Sequence, residues 1–384
     1  MNKKGLPKKS VMRILNRAYT TDMHFRDGRI FGSMCTEPHQ IARSSHAMFF
    51  ETNLGNPGLC PGTRVLEAEV INMISGLLHG KKVAGHIVNG GNEANITALW
   101  IARNNNRRRK KVLFAKSAHF SIQKACDLLG LTPVTVPMDR NYRLDAEILR
   151  KKISDDVCSV VAVAGTTELG AVDPIEEISE ICAERCVNLH VDAAFGGFVL
   201  PFLEELGYPI ELFDFRCGGV CSISADPHKM GLATIPSGCL LVRDTLKMKR
   251  IAVRTPYLTS EMQTSLSGTR ASGAVAGTYA VMKLLGREGY RKIVKRCMNN
   301  TEYLLNEAKK IGFEPVLDPP PMNILCLKTK RPEKICSELM RRGWVASVAV
   351  NPRSLRLVIM PHVTRTSIDN FIPELKRAYK QWSR

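Results

Sequence analysis

From Thr63 to His79 apolar residues recur at helical spacing, at Val65, Leu66, Val70, Ile71, Ile74, Leu77 and Leu78, which predicts an amphipathic helix. A second helix is expected after Gly91. Short apolar runs then alternate with helical segments. Val112–Ala115, Pro133–Val136 and Val157–Ala164 read as strands, and Ile175–Cys186 reads as a helix with Pro174 in its first turn. Asn188–Ala193, Val220–Ala225 and Cys239–Val242 read as further strands. Such alternation implies a mainly parallel sheet covered by helices on both faces.

The pattern changes after about Gly268. Long helices are predicted over Ala271–Leu285 and Tyr290–Lys310, shorter strands over Asn323–Leu327 and Ser354–Ile359, and a closing helix over Ser367–Trp382. We therefore expect an N-terminal arm (1–55), a large α/β domain (56–268) and a smaller C-terminal α+β domain (269–384). The 384 residues, 44% of them hydrophobic, suit one large domain with a second, smaller one.

The basic start MNKKGLPKKS is followed by a segment broken by Arg13, Asn16 and Arg17, where a signal peptide needs an unbroken apolar stretch. No run approaches the roughly 18 apolar residues of a membrane span. A soluble, cytoplasmic protein is expected, with no membrane partner. The twelve cysteines are then better read as reduced thiols than as a disulfide framework. Cys182/Cys186 and Cys217/Cys221 are spaced for small buried apolar residues as readily as for zinc, and no metal site is expected. The formal net charge is +19, which attracts anions such as phosphorylated cofactors, acidic substrates or nucleic acid. Five basic residues run from Arg107 to Lys111, but no aromatic residues are interleaved there for base stacking. We read that run as a solvated helix-to-strand loop and do not expect nucleic acid as a partner.

Five stretches carry candidate chemistry. In SISADPHKMG, Lys229 follows a strand end beside Asp226 and His228. It is either a solvated loop lysine or a Schiff-base lysine, whose amine must be unprotonated part of the time. In NLHVDAAFGG, Asp192 lies inside a hydrophobic strand, and a buried carboxylate needs a partner. A protonated pyridine nitrogen would be one; a structural hydrogen bond would be another. Ala194 is small enough to let a flat ring approach the backbone. In VNGGNEAN, Gly90 and Gly91 lead into a helix whose first-turn amides suit a phosphate, though Gly-Gly before a helix is weak evidence alone. His119 follows a strand and is either a stacking imidazole or structural. Thr166 and Thr167 follow another strand, and either reach a ligand or cap the turn.

Taken together, the order of phosphate loop, histidine, Thr-Thr turn, strand aspartate and Pro-His-Lys, with Asp192 preceding Lys229 by 37 residues, resembles the group II decarboxylases dependent on pyridoxal phosphate (PLP). DGRIFGSMC, ETNLGNPGL, HVDAAFGGF, DPHKMG and SLSGTRASGA are most similar to the archaeal L-tyrosine/L-aspartate decarboxylases, from about Gly28 to the C-terminus. The resemblance implies an aspartate-aminotransferase-like, fold type I architecture. It also implies release of carbon dioxide from L-tyrosine (giving tyramine), from L-aspartate (giving β-alanine) or from both, in service of methanofuran or coenzyme A biosynthesis.

Residue by residue, the resemblance makes Lys229 the cofactor-bearing lysine, with His228 and Asp226 beside it. Asp192 becomes the partner of the pyridine nitrogen and His119 the stacking histidine. Gly91, Asn92, Thr167 and Ala194 fall among the other cofactor contacts. Asn92 departs from the Ser or Thr common there, although an amide still donates to phosphate. Gly268 and Thr269 match a loop that reaches the neighbouring subunit's cofactor, which implies a homodimer with shared active sites. Tyr257, 28 residues after Lys229, resembles a mobile-loop proton donor, or is an ordinary loop tyrosine. Arg356 alternates with apolar neighbours in SLRLVIM; it matches a position that meets the substrate carboxylate, or it lies on a solvent face. Two rivals stay open: a carbon–carbon lyase of the sphingosine-phosphate-lyase kind, and a tRNA-linked PLP enzyme.

Overall fold

The computed structural model describes Met1 and residues 3–382. Its core is a seven-stranded sheet: β1 (Ala84–Val88), β2 (Lys111–Ala115), β3 (Thr132–Val136), β4 (Val157–Val163), β5 (Asn188–Asp192), β6 (Val220–Ala225) and β7 (Gly238–Val242). The spatial order is β1-β7-β6-β5-β4-β2-β3. Only β7 runs against the others. Every residue of β4 and β7 is buried, as continuous apolar strands covered on both faces should be. This is the mainly parallel α/β sheet that the alternation predicts, and it agrees with the fold type I architecture that the resemblance implies. It differs in detail: β1 lacks a strong apolar run and escapes the sequence reading, and the apolar run of β7 is silent about its direction.

A hairpin follows, β8 (Val253–Arg254) and β9 (Met262–Gln263), with Tyr257 in its loop. A second sheet, in the order β10-β11-β13-β12, is antiparallel: β10 (Glu314–Pro315), β11 (Ile324–Lys328), β12 (Ser347–Val350) and β13 (Arg353–Val358). The two long helices expected after Ala271 run end to end as Ser272–Ile311, with a break at Gly286, where φ is +55°. That backbone conformation strains a side-chain-bearing residue.

Four helices of the N-terminal half matter below: α1 (Lys8–Thr21), α2 (Gln40–Met48), α3 (Pro61–Leu77) and α4 (Gly91–Asn105). None of the α1 residues is buried. The chain after it is not loose. Phe31 stacks on Phe371 with ring centroids 4.3 Å apart, and its amide donates to the Val345 carbonyl at 2.7 Å, so this segment joins the core of the second sheet. α2 packs along the long helix Ser272–Ile311. No described helix is long and apolar enough to cross a membrane.

Candidate active site

The C-terminal ends of the parallel strands converge on one cavity of about 300 Å³, where α/β sheets place their ligands. β1 delivers Gly90 and Gly91, the chain after β2 delivers His119, and the chain after β4 delivers Thr167. β5 delivers Asp192 and Ala194, and β6 delivers Asp226, His228 and Lys229. Asn92 lines the same cavity. Ten of the fifteen residues singled out in the sequence therefore share one space.

One end of the cavity is the start of α4. Its first intrahelical bond runs from the Ala94 amide to the Gly90 carbonyl at 3.2 Å, so the amides of Gly91, Asn92 and Glu93 have no partner inside the helix. Gly90 has a φ of +111°. A Cβ at Gly91 would come within 3.0 Å of Asp226 Oδ2 and 3.2 Å of Ala194 Cβ, so glycine keeps this corner open. Asn92 Oδ1 is buried without a partner. Free amides at a helix start, reinforced by the helix dipole, suit a phosphate.

Lys229 Nζ sits 3.0 Å from Asp226 Oδ2. Burial alone would lower the ammonium pKa, but the Asp226 and Asp192 carboxylates outweigh it and the net shift is upward. Asp226 Oδ1 is a further buried atom without a partner. His228 Nδ1 lies 2.6 Å from the Ser237 carbonyl, and its Nε2 is 3.8 Å from Asp226 Oδ2. Burial pushes the His228 and His119 pKa values down, against the pull of the nearby carboxylates.

Asp192 is buried, and both its oxygens accept. Oδ2 takes a hydrogen from Asn95 Nδ2 at 2.7 Å. Oδ1 takes one from the Ala194 amide at 3.1 Å and one from Ser224 Oγ at 3.2 Å. Asn95, which also lines the cavity, was not legible as a site residue. Nor was His190, two positions before Asp192 and on the same face of β5, whose Nε2 meets Asn95 Oδ1 at 2.9 Å. A second polar residue in register with Asp192 inside an apolar strand was the available signal. Thr166 caps its turn, its Oγ1 accepting from the Ala171 amide at 3.0 Å.

Four further expected residues lie outside the cavity of their own chain. Tyr257 is 85% exposed, and Gly268 and Thr269 are exposed. Arg356 is buried rather than on a solvent face: its Nε donates to the Thr167 carbonyl at 2.6 Å, while its Nη2 is buried without a partner. Among the described residues, no group of three or more His, Cys, Asp or Glu side chains is placed to hold a metal ion. The basic run ends in the Lys111–Asp156 ion pair at the surface.

The set of an amine, a buried carboxylate, a histidine on the wall and an anion cradle suits a phosphorylated aldehyde whose ring carries a basic nitrogen. Residues 59–330 match the pyridoxal-dependent decarboxylase conserved domain. The chain is 46% identical over 357 residues to a probable L-tyrosine/L-aspartate decarboxylase of Methanothermobacter thermautotrophicus, a match covering 92% of this chain and 98% of that protein. It is 44% identical to an L-aspartate/L-glutamate decarboxylase of Pyrococcus horikoshii, covering 97% of each. Among solved structures, a sphingosine-1-phosphate lyase of Burkholderia pseudomallei superposes with a TM-score of 0.92 at 26% identity, covering 100% of this chain and 93% of that one. A Lactobacillus brevis glutamate decarboxylase superposes with a TM-score of 0.90 at 22% identity, covering 100% and 95%.

Proposed function

The chain belongs to the pyridoxal-dependent decarboxylase family, and from that premise we propose which of its residues carry the chemistry and on which substrates. It is an enzyme that decarboxylates amino acids with PLP as its cofactor. The observation that carries the assignment of roles is the gathering of Lys229, Asp192, His119 and the α4 start around one cavity.

The residues present fit PLP. The α4 amides hold the phosphate, and Asn92, which lines the same cavity, can add its side-chain Nδ2 as a donor. When bound, PLP supplies a sink for the electrons of the breaking Cα–carboxylate bond. Asp192 holds a proton on the pyridine nitrogen, and His119 packs against the ring. Lys229 Nζ must shed a proton before it can bond to an aldehyde, and Asp226 Oδ2 at 3.0 Å is the adjacent acceptor. The free Nη2 of Arg356 receives the substrate carboxylate and orients it. The Tyr257 hydroxyl delivers a proton to Cα after carbon dioxide leaves.

We read Tyr257, Gly268 and Thr269 as serving the cavity of a second copy, which makes the working unit a cytoplasmic homodimer with shared sites. Two features support this: their exposure outside their own cavity, and the uncovered apolar residues Val11, Ile14 and Leu15 of α1. The division into arm, large domain and small domain belongs to the same proposal. Each sheet has a core of its own, which supports the division, although the larger core also takes in Ala274, Met282, Tyr290 and Met298 of the long helix and Phe31 of the arm lies in the smaller one.

The substrates we assign are L-tyrosine and L-aspartate, after the names of relatives sharing 43–46% identity. A carbon–carbon lyase is less favoured, because the structurally similar lyase shares only 26%. The test is carbon dioxide release from a panel of L-tyrosine, L-aspartate, L-glutamate and L-tryptophan by the PLP-loaded enzyme. Release from L-tyrosine or L-aspartate supports the assignment. Release from neither, with turnover of a phosphorylated amino alcohol instead, overturns it.

A further inference from the structure

The hydrogens of the buried network beneath Asp192 can be assigned one after another. A carboxylate only accepts, so the nitrogen of Asn95 must face Asp192 Oδ2 and its Oδ1 must face His190. His190 therefore donates from Nε2. Burial pushes its pKa below the ordinary histidine range, so the ring is neutral, and its Nδ1 accepts from Ser222 Oγ at 2.9 Å. On the other side, the second Asn95 amide hydrogen goes to Ser121 Oγ at 2.9 Å. Ser121 passes its own hydrogen to His119 Nδ1 at 2.9 Å. His119 Nδ1 also accepts from the Ser121 amide at 3.3 Å, which leaves the His119 hydrogen on Nε2.

We propose that Asn95 is a positioning residue: the branch point of a one-way hydrogen-bond chain running from Ser222 through His190 to Asn95, and from there to Asp192 and, by way of Ser121, to His119. The chain holds Asp192 as an accepting carboxylate and His119 as a neutral ring of one tautomer. It does so with a single side chain, 1% exposed.

Only an amide suits the branch point. It needs one acceptor and two donors on one planar group. Aspartate has no donor and would set a second carboxylate against Asp192, where one of the two must take up a proton. Leucine fills similar space but leaves His190 Nε2–H and one Asp192 oxygen without partners, and buried polar groups are costly to leave unpaired. Ser222 matters although it is distant from the cavity. With its hydroxyl gone, His190 is free to move its hydrogen to Nδ1. Asn95 would then turn over and present its oxygen to Asp192.

The importance assigned to the chain rests on the reading of Asp192 and His119 as cofactor-facing. The test therefore reads the chain itself in the cofactor-free protein. Full-length apoenzyme is labelled with 15N-histidine, and the His119 and His190 signals are assigned among the nine histidines by His119→Gln and His190→Gln. Both rings are expected as neutral Nε2–H tautomers across pH 6–8. In Asn95→Leu both signals should move. The dissociation constant for PLP should rise at least about tenfold, the scale seen when a residue orienting a binding group is lost, and circular dichroism should remain native. If Asn95→Leu does not fold, Ser222→Ala probes the far end, where the single His190 tautomer should be lost and PLP affinity should fall. An Nδ1–H or charged His190 in the unaltered apoenzyme overturns the proposal. So does an unchanged His119 signal with unchanged PLP affinity in folded Asn95→Leu, or an unchanged His190 signal in Ser222→Ala. Asp192→Asn, measured for PLP binding, separately tests the reading beneath it.

Discussion

Arg356 and Thr167 are joined by a 2.6 Å hydrogen bond from the guanidinium Nε to a backbone carbonyl, at the edge of the cavity that Thr167 lines. The bond fixes the guanidinium plane. Its Nη2 is buried without a partner, and the proposed role pairs it with the substrate carboxylate. A charge-assisted hydrogen bond contributes roughly 1.5–3 kcal/mol. Arg356→Met should therefore raise KM for the amino acid by about ten- to a hundredfold while PLP affinity stays unchanged. Steady-state kinetics at saturating PLP decide it; an unmoved KM would remove Arg356 from the substrate site.

Asp192→Asn replaces an acceptor-only carboxylate with an amide that cannot hold a proton on a pyridine nitrogen. By comparison with the loss of other preorganised electrostatic groups, kcat should fall by about 100- to 1,000-fold, with some PLP still bound. Turnover near that of the unaltered enzyme would dismiss the role.

Tyr257→Phe removes one hydroxyl from a side chain that is 85% exposed, so melting temperature and PLP binding should not change. Positioned acids contribute about 10²–10⁴ in rate. The yield of amine per substrate consumed should drop and carbonyl by-product should rise. Mixed dimers of Lys229→Ala and Tyr257→Phe protomers should form amine faster, and with a higher yield per substrate consumed, than either parent, because one site then draws an intact lysine and an intact tyrosine from different chains. No recovery in the mixture would mean that each chain completes its own site.

His86 is half-buried in β1, with Nε2 2.7 Å from Thr264 Oγ1. Burial, helped by the Arg270 charge, pushes its pKa down to about 3. The unfolded chain takes up this proton near pH 6.5 and the folded chain does not, so stability is present above that pH and is lost as pH falls from about 6.5 toward 3. The loss is about 1.4 kcal/mol per pH unit for one such histidine. His86→Gln keeps a donor for Thr264 and removes the titration. Urea unfolding at pH 7.0 and 5.5 should show a smaller acid-induced loss in the variant, and an equal loss would refute the assignment.

Much of this was legible in the sequence because each signal was local. Lys229 follows an apolar strand within DPHK, and Asp192 interrupts another, so the strand ends announced the cavity. What was hidden depended on partners far apart in the chain. Asn95 reads as one more polar residue of an amphipathic helix until the fold brings it to Asp192, 97 positions away. Arg356 needs the Thr167 carbonyl, 189 positions away, to show that it points inward. β1 was missed because Ala84, Gly85 and His86 are weakly apolar and only partly buried; pairing with β7 makes them a strand. Tyr257 carries no contact within its own chain that would reveal a role, so its assignment depends on the second copy.

The most direct test of the central claim is where PLP becomes attached. Enzyme loaded with PLP is reduced with borohydride, digested and mapped by mass spectrometry, beside Lys229→Ala treated in the same way. A pyridoxyl mass on the peptide that contains Lys229, absent from the variant, which also loses carbon dioxide release, is the predicted result. Stoichiometric labelling of a different lysine, or a Lys229→Ala enzyme that still turns over amino acids, would contradict it.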